Sequence, residues 1–210
     1  MVTSSQNAQG RFIKSLKKRK LREEAGCFFI EGLRSVCEGI ISGADIKTLV
    51  LSESFINSEF YAEVKKALDS AEKFSVESVL FPVSDAIYAQ LTDLETPQGI
   101  GAVFSIKRPK KVKGESIVLL ENLQDPGNMG TIIRTADAAA FDGVICTKGC
   151  VDVYNPKVLR STTGSVFHIP IMQYLRNDDI TVKELTAALK ESGYTVYAAH
   201  PRGECSCFEE

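Results

Sequence analysis

The stretch E121-NLQDPGNMGTIIRTADAAAFDG-V144 decides how the chain is read, because it turns a strand into a helix and the helix into a second strand. Ahead of it runs the apolar segment SIVLLENL, which has the length and composition of a buried strand. Pro126 and Gly127 permit a sharp turn, and Asn128 is placed either to cap the following helix or to contact a substrate. On a helical wheel Met129, Ile132, Ile133, Ala136, Ala139 and Ala140 crowd one side, and Arg134 points away from them. A lone outward arginine is usually just solvated. Here it follows a turn at the carboxyl end of a strand, where α/β sheets bind ligands, so it is also placed to face a phosphate or a ribose. The turn lacks Gly-x-Gly-x-x-Gly and the chain has no P-loop, which argues against an ordinary dinucleotide or nucleotide enzyme.

Outward from this unit, strand and helix patterns alternate almost throughout, which predicts an α/β protein with largely parallel sheets. In the second half GVICTK is a strand, a helix starts at Pro156, HIPIMQY is a strand, TVKELTAALKESG is a helix and YTVYAAH is a last strand. In the first half CFFIEG, IKTLVL, VESVLFPV and IGAVFSIK read as extended. LRSVCEGIISG, NSEFYAEVKKALDSA and SDAIYAQLTD read as helices, the last opened by a Ser84 cap. The polar, basic run 108–115 contains Pro and Gly and is the predicted linker, separating domains at 1–107 and 116–210.

The 210 residues are 44% hydrophobic and 25% charged, which suits a folded chain rather than a disordered one. No apolar run is long enough to span a bilayer and no secretory leader is visible, so a cytoplasmic protein without a membrane partner is expected. Six cysteines without a Cys-x-x-Cys pair read as reduced and mostly buried. A zinc site from Cys205, Cys207 and His200 lacks a fourth ligand, so no metal is expected. His168 and His200 have no acidic or nucleophilic neighbour at telling spacing and read as packing or surface residues.

The net charge of −2 hides a local imbalance: RFIKSLKKRKLR, Arg11 to Arg22, has seven basic residues and no acidic one. Read as one helix, it places Arg11, Lys14, Lys18 and Arg22 on one face and Phe12, Ile13 and Leu16 opposite. Such a stripe is either a solvated face or a phosphate-binding one. A second basic run, KRPKKVK at 107–113, favours a nucleic acid partner.

Two long segments, ENLQDPGNMGTIIRTADAAAFDGV and NPKVLRSTTGSVFHIPI (Asn155 to Ile171), resemble signatures of the SpoU (TrmH-like) RNA 2'-O-ribose methyltransferases of the SPOUT superfamily. CFFIEGLRSVCEGI and TPQGIGAVF resemble the family's substrate-binding domain, which is similar to ribosomal proteins that hold RNA. The resemblance implies an N-terminal RNA-binding α/β domain, a C-terminal trefoil-knot methyltransferase domain, S-adenosylmethionine as cofactor, RNA (most of all ribosomal RNA) as substrate, and a homodimer. Carried over by position, Asn128 and Arg134 are the catalytic candidates, Thr162 and Gly164 the cofactor-binding ones, and Arg160 an RNA contact. An arginine gives up its proton reluctantly, so Arg134 is expected to stabilise the forming 2'-alkoxide rather than act as a base.

The family's third motif, an Asn-Glu-Gly loop followed by Ile-Pro and Ser-x-Asn segments, is not in these residues. The expectation is therefore an incomplete catalytic domain with uncovered apolar surface. The rival to an active methyltransferase is a non-catalytic RNA-binding module that keeps the basic face.

Overall fold

The computed structural model describes residues 1–71, 76–109, 111–174, 180–200 and 203. The first half runs α1 (Ala8–Ser15), α2 (Arg19–Ala25), β1 (Cys27–Glu31), α3 (Leu33–Ile41), β2 (Ile46–Ser52), α4 (Glu53–Ile56), α5 (Tyr61–Ser70), α6 (Val76–Val79), β3 (Leu80–Val83), α7 (Asp85–Leu91) and β4 (Ile100–Ser105). The second half runs β5 (Ile117–Leu120), α8 (Pro126–Ala138), β6 (Gly143–Cys146), α9 (Pro156–Thr162), a 3-10 turn (Ser165–Phe167), β7 (Ile171–Gln173) and α10 (Val182–Glu191).

Period-two alternation makes the first sheet two-sided. Along β1, Phe28 and Ile30 enter one core with Val36, Ile40, Leu68 and Phe104, while Cys27 and Phe29 enter another with Ile13, Leu16, Ile87 and Leu91. Helices α3 and α5 therefore cover one face, and α1 and α7 the other. The strand order is β1-β4-β2-β3, with β4 antiparallel to both neighbours and only β2–β3 parallel. This corrects the expectation of largely parallel sheets for the first half. A central strand buried on both faces reads as the same apolar run in either direction. The second sheet, β5-β6-β7, is parallel throughout, as expected.

Local signals hold where side chains cap. Ser84 accepts from the Ile87 N–H, and Thr181 and Glu184 form a capping box that opens α10. They fail where tertiary contacts compete. VESVLFPV is extended only from Leu80, after the short α6, and HIPIMQY is a strand only from Ile171. Residues 194–200 form no strand, and Tyr197 is 73% exposed.

The basic run is not one helix either. α1 ends at Ser15 and α2 begins at Arg19, because the Arg22 guanidinium turns back and donates to the carbonyls of Leu16 (2.7 Å) and Lys17 (2.8 Å). It thereby satisfies acceptors that a continuous helix would have bonded to its own amides. Arg22 also pairs with Asp152 of the second half and is 3% exposed.

The two halves share packing. Leu159 of α9 belongs to the first-half core, Phe28 lies 4.8 Å from Tyr154 between ring centroids, and Phe104 lies 4.8 Å from Phe167. A Cβ on Gly39 would come within 2.6 Å of Phe104 and 2.8 Å of Phe167, so a glycine is what lets α3 reach this aromatic seam. Residues of the predicted linker are also tied down. Val112 is buried, and the Asp142 carboxylate accepts from the backbone N–H groups of Glu115 (2.8 Å) and Ser116 (3.0 Å). Those two amides hold Asp142 below the usual carboxylate range.

Arg22→Met should destabilise the protein by about 3–5 kcal/mol, since it leaves the largely buried Asp152 without its counter-ion. Arg22→Met combined with Asp152→Leu should recover part of that loss, and denaturant unfolding of the three proteins checks both expectations.

Candidate RNA-facing active site

Helix α8 opens on Asp125, not Asn128. The Asp125 carboxylate accepts from the Asn128 N–H at 2.7 Å, and Pro126 occupies the first helical turn, where its missing N–H costs nothing. Asn128 is thus a third residue of the helix with an exposed side chain, and the cap reading passes to Asp125. Met129, Ile133 and Ala136 bury against β6 and its surroundings as expected. Ala139 and Ala140 do not: the helix has ended, Ala140 takes a left-handed conformation at φ 56°, and both are exposed. Arg134 is exposed, in line with Thr131, Thr135 and Ala138.

Helix α9 crosses α8 at Gly130. A Cβ there would lie 2.3 Å from Ser161 Cβ and 2.8 Å from the Val158 carbonyl oxygen, so the contact is backbone against backbone. The start of α9 is capped by Asn155, which accepts from Lys157 N–H at 2.9 Å. Between the two helices lies an open groove of about 490 Å³ lined by Asp125, Pro126, Gly127, Lys157, Arg160 and Ser161. The positive dipole end of α8 and the side chains of Lys157 and Arg160 converge on it beside the Asp125 carboxylate, a combination that can receive phosphate oxygens.

On the far side of Arg160, Glu31 of β1 has a buried Oε2 without a hydrogen-bond partner. Burial raises the Glu31 carboxyl, against a Thr92 hydrogen bond and the positive charges of Arg160 and Lys17. Beneath the β5–α8 turn, Cys150 is held down to about 6 by hydrogen bonding to the Cys146 thiol, and Cys146 is pushed up by the same contact and by burial. Cys27, Cys37, Cys146 and Cys150 are all free thiols, whereas Cys205 and Cys207 lie outside the described residues.

The residues expected at the site are only partly brought together. Asn128 is one residue from the groove, Arg160 lines it, and Arg134 stands further along the exposed side of α8. Thr162 is 0% exposed, and its hydroxyl donates to the Leu159 carbonyl at 2.7 Å. Gly164, at φ 102°, is covered by Glu38, whose Cβ and Cγ would lie 2.9 Å from a Cβ. Thr162 is thus bonded within its own helix, and Gly164 admits α3 to the second half.

Of the expected RNA face, Arg11, Lys14 and Lys18 are exposed, but Arg22 is removed from it by its buried pairing with Asp152. Arg11 and Lys14 sit on α1, in the layer opposite α3 and α9. Lys157, Glu31 and His168 were missed in the sequence. Only Lys157 carried a signal, one turn ahead of Arg160 on the same helix face.

A cationic groove at the head of a parallel α/β unit, joined through a shared core to a second α/β unit with its own basic helix, defines a two-part protein that presents its charge to a polyanion. Residues 115–209 match the SpoU rRNA Methylase family, and residues 7–102 match the MRM3-like substrate binding domain. The chain is 36% identical to the 23S rRNA (guanosine(2553)-2'-O)-methyltransferase RlmP of Bacillus subtilis, over 93% of this chain and 71% of that protein. It is also 36% identical to human mitochondrial rRNA methyltransferase 3, over 76% of this chain but only 38% of that one. Among solved structures, the AdoMet-bound rRNA methyltransferase of Sinorhizobium meliloti superposes with a TM-score of 0.68 at 30% identity, over 89% of this chain and 68% of that one. The SpoU methyltransferase AviRb of Streptomyces viridochromogenes with AdoMet gives 0.73 at 26% identity, over 90% and 70%. The chain belongs to the SpoU rRNA methylase family.

Gly130→Ala should force α8 and α9 apart and destabilise the protein by about 1–3 kcal/mol, measured by thermal or denaturant unfolding.

Proposed function

We propose that this chain provides the RNA-binding and catalytic surfaces of an S-adenosylmethionine-dependent methyltransferase that modifies a ribose 2'-hydroxyl of ribosomal RNA. The observation that carries the reading is the junction of the α8 start with Lys157 and Arg160 in one open groove, beside Asn128 and on the helix that carries Arg134. S-adenosylmethionine supplies the methyl group. The protein's task is to hold an RNA backbone and tolerate charge growing on the attacking oxygen.

In this reading Lys157 and Arg160 take backbone phosphates, Asn128 orients the ribose, and Arg134 stabilises the developing alkoxide. A guanidinium remains charged at any working pH, which suits stabilisation better than proton abstraction. Arg11, Lys14 and Lys18 add a salt-sensitive contact further along the RNA, next to Phe12, which is 41% exposed and available to stack on a base. The exposed Phe141 and small residues at the end of α8 support a homodimer contact at that end. Among the described residues no group of three or more His, Cys, Asp or Glu is placed to hold a metal, and no helix is long and apolar enough to cross a membrane. The resemblance to a bacterial rRNA enzyme supports a cytoplasmic site of action.

A second reading, a non-catalytic RNA-binding module, is favoured by one observation: Thr162 is buried and Gly164 is packed against Glu38. Calorimetric titration with S-adenosylmethionine separates the two, since the module would bind RNA and ignore the cofactor.

For the enzyme, Arg134→Ala should lower kcat by about 10²–10³ with unchanged melting, because Arg134 is exposed. Arg160→Ala should instead raise KM for RNA and reduce the salt dependence of binding by about one phosphate contact. Transfer of labelled methyl to ribosomal RNA, with the product located by resistance of the 3'-phosphodiester to alkali, measures both.

A further inference from the structure

Glu31 is the last residue of β1, and its backbone has little freedom. It pairs with Gly101 of β4, and the following residue, Gly32, donates to the Ile100 carbonyl at 3.0 Å and takes φ 101° where the chain turns into α3. Ile30, next to Glu31, and Leu159, next to Arg160, lie in one core, where α9 packs against β1. A carboxylate of the first half is thereby set behind a guanidinium that lines the groove of the second.

A buried carboxylate oxygen is costly without a donor, and Glu31 Oε2 has none. The Tyr88 hydroxyl, on a side chain 1% exposed, is also without a partner, and its phenol is pushed up by burial and by the charge of Glu31. The negative charge of Glu31 is therefore poorly answered from behind. Of the two cations acting on it, Lys17 is held by Asp93 at 2.6 Å. Arg160 is in none of the ion pairs among the described residues. A guanidinium carries five N–H donors in a planar fork, so one edge can face a carboxylate while another is offered to a phosphate. The single ammonium of a lysine has no such second edge.

We propose that Glu31 is a positioning residue for Arg160: its carboxylate, fixed at the end of β1, draws one edge of the guanidinium inward and so presents the other to an RNA phosphate in the groove. The role rests on the reading of Arg160 as a phosphate contact. It makes that phosphate site a joint product of the two halves, with the carboxylate from β1 and the cation from α9.

The sign of one substitution separates this role from that of a bystander charge. Removing a negative charge near a phosphate site should by Coulomb attraction alone tighten RNA binding, whereas removing the group that aims Arg160 should weaken it. The test uses the full chain and labelled ribosomal RNA, with affinity measured between about 50 and 200 mM salt. Glu31→Gln should bind roughly fivefold more weakly and lose about one phosphate contact from the salt dependence, with the melting temperature unchanged or higher. In methyl transfer it should raise KM for RNA and leave kcat within about twofold. In an Arg160→Ala background Glu31→Gln should have no further effect on affinity. Arg160→Lys, which leaves the buried carboxylate untouched, should lose most of the affinity that Arg160→Ala loses. RNA binding by Glu31→Gln as tight as wild type or tighter would overturn the proposal. So would an undiminished loss in the Arg160→Ala background, wild-type affinity in Arg160→Lys, or a wild type that binds no RNA. A wild type that binds RNA but transfers no methyl would remove the methyltransferase reading alone, and the affinities then still decide the role of Glu31.

Discussion

The guanidinium of Arg22 is the constraint on which the arrangement of the two halves turns. It sits at the point where α1 stops, takes the carbonyls of Leu16 and Lys17, and reaches Asp152 in the loop before α9. A cation of that size is expensive to strip of water unless its donors find acceptors and its charge finds a counter-ion, and here most do; Nε alone lacks a partner. One side chain therefore sets the end of α1, the start of α2 and the position of the Asp152 loop. The aromatic seam of Phe28, Phe104, Tyr154 and Phe167 then closes beside it, and Tyr154 donates to the Lys107 carbonyl at the entry to the connecting segment. Burial pushes the Tyr154 phenol up to about 12, so it remains a donor at any physiological pH.

What the sequence disclosed, and what it hid, divides along the range of the interactions. Ser84, Thr181 with Glu184, and the apolar alternation of β1 and β4 act within a few residues, and each sits where its pattern puts it. The strand–turn–helix unit around Pro126 was legible for the same reason, apart from the cap. Asp125 and Asn128 both suit the role, and only the backbone bend shows which one accepts the N–H. The reading of 11–22 as a single amphipathic helix went wrong because nothing in the local pattern marks Arg22 as buried. Its partner Asp152 is 130 residues away. His168 was passed over for the same reason, since its carboxylates lie on α3 and α8 and neither is near it in sequence.

Like Gly39 at the aromatic seam, Gly130 and Gly164 act by subtraction. At Gly130 the missing Cβ sets how closely α8 and α9 approach, and so places Lys157 and Arg160 over the first turn of α8. At Gly164 it admits Glu38, and through Glu38 the first half, to the turn that ends in His168. The motif residue assigned to the cofactor by position thus has a packing explanation that needs no ligand. A motif transferred by sequence specifies a residue type, whereas the physical reason for that type is read from what a side chain there would strike.

The exposure of Arg134 sets a condition on any role it has in chemistry. Across about 4 Å, a charge pair is worth about 1 kcal/mol in water and about 4 kcal/mol at an effective dielectric near 20, so an arginine facing bulk solvent stabilises an alkoxide only weakly. A useful effect requires water to be excluded when the ribose arrives. Residues around Arg134 on α8 are Thr131, Thr135 and Ala138, small side chains that leave room for a covering surface without supplying one. An RNA strand held by the Lys157–Arg160 groove at one end of α8, or a second protein surface against Phe141 at the other, would lie close enough to supply it. Either way, the electrostatic advantage of Arg134 is created by assembly rather than stored in the isolated chain, which makes the register of α8 against the RNA-binding half a determinant of rate as well as of binding.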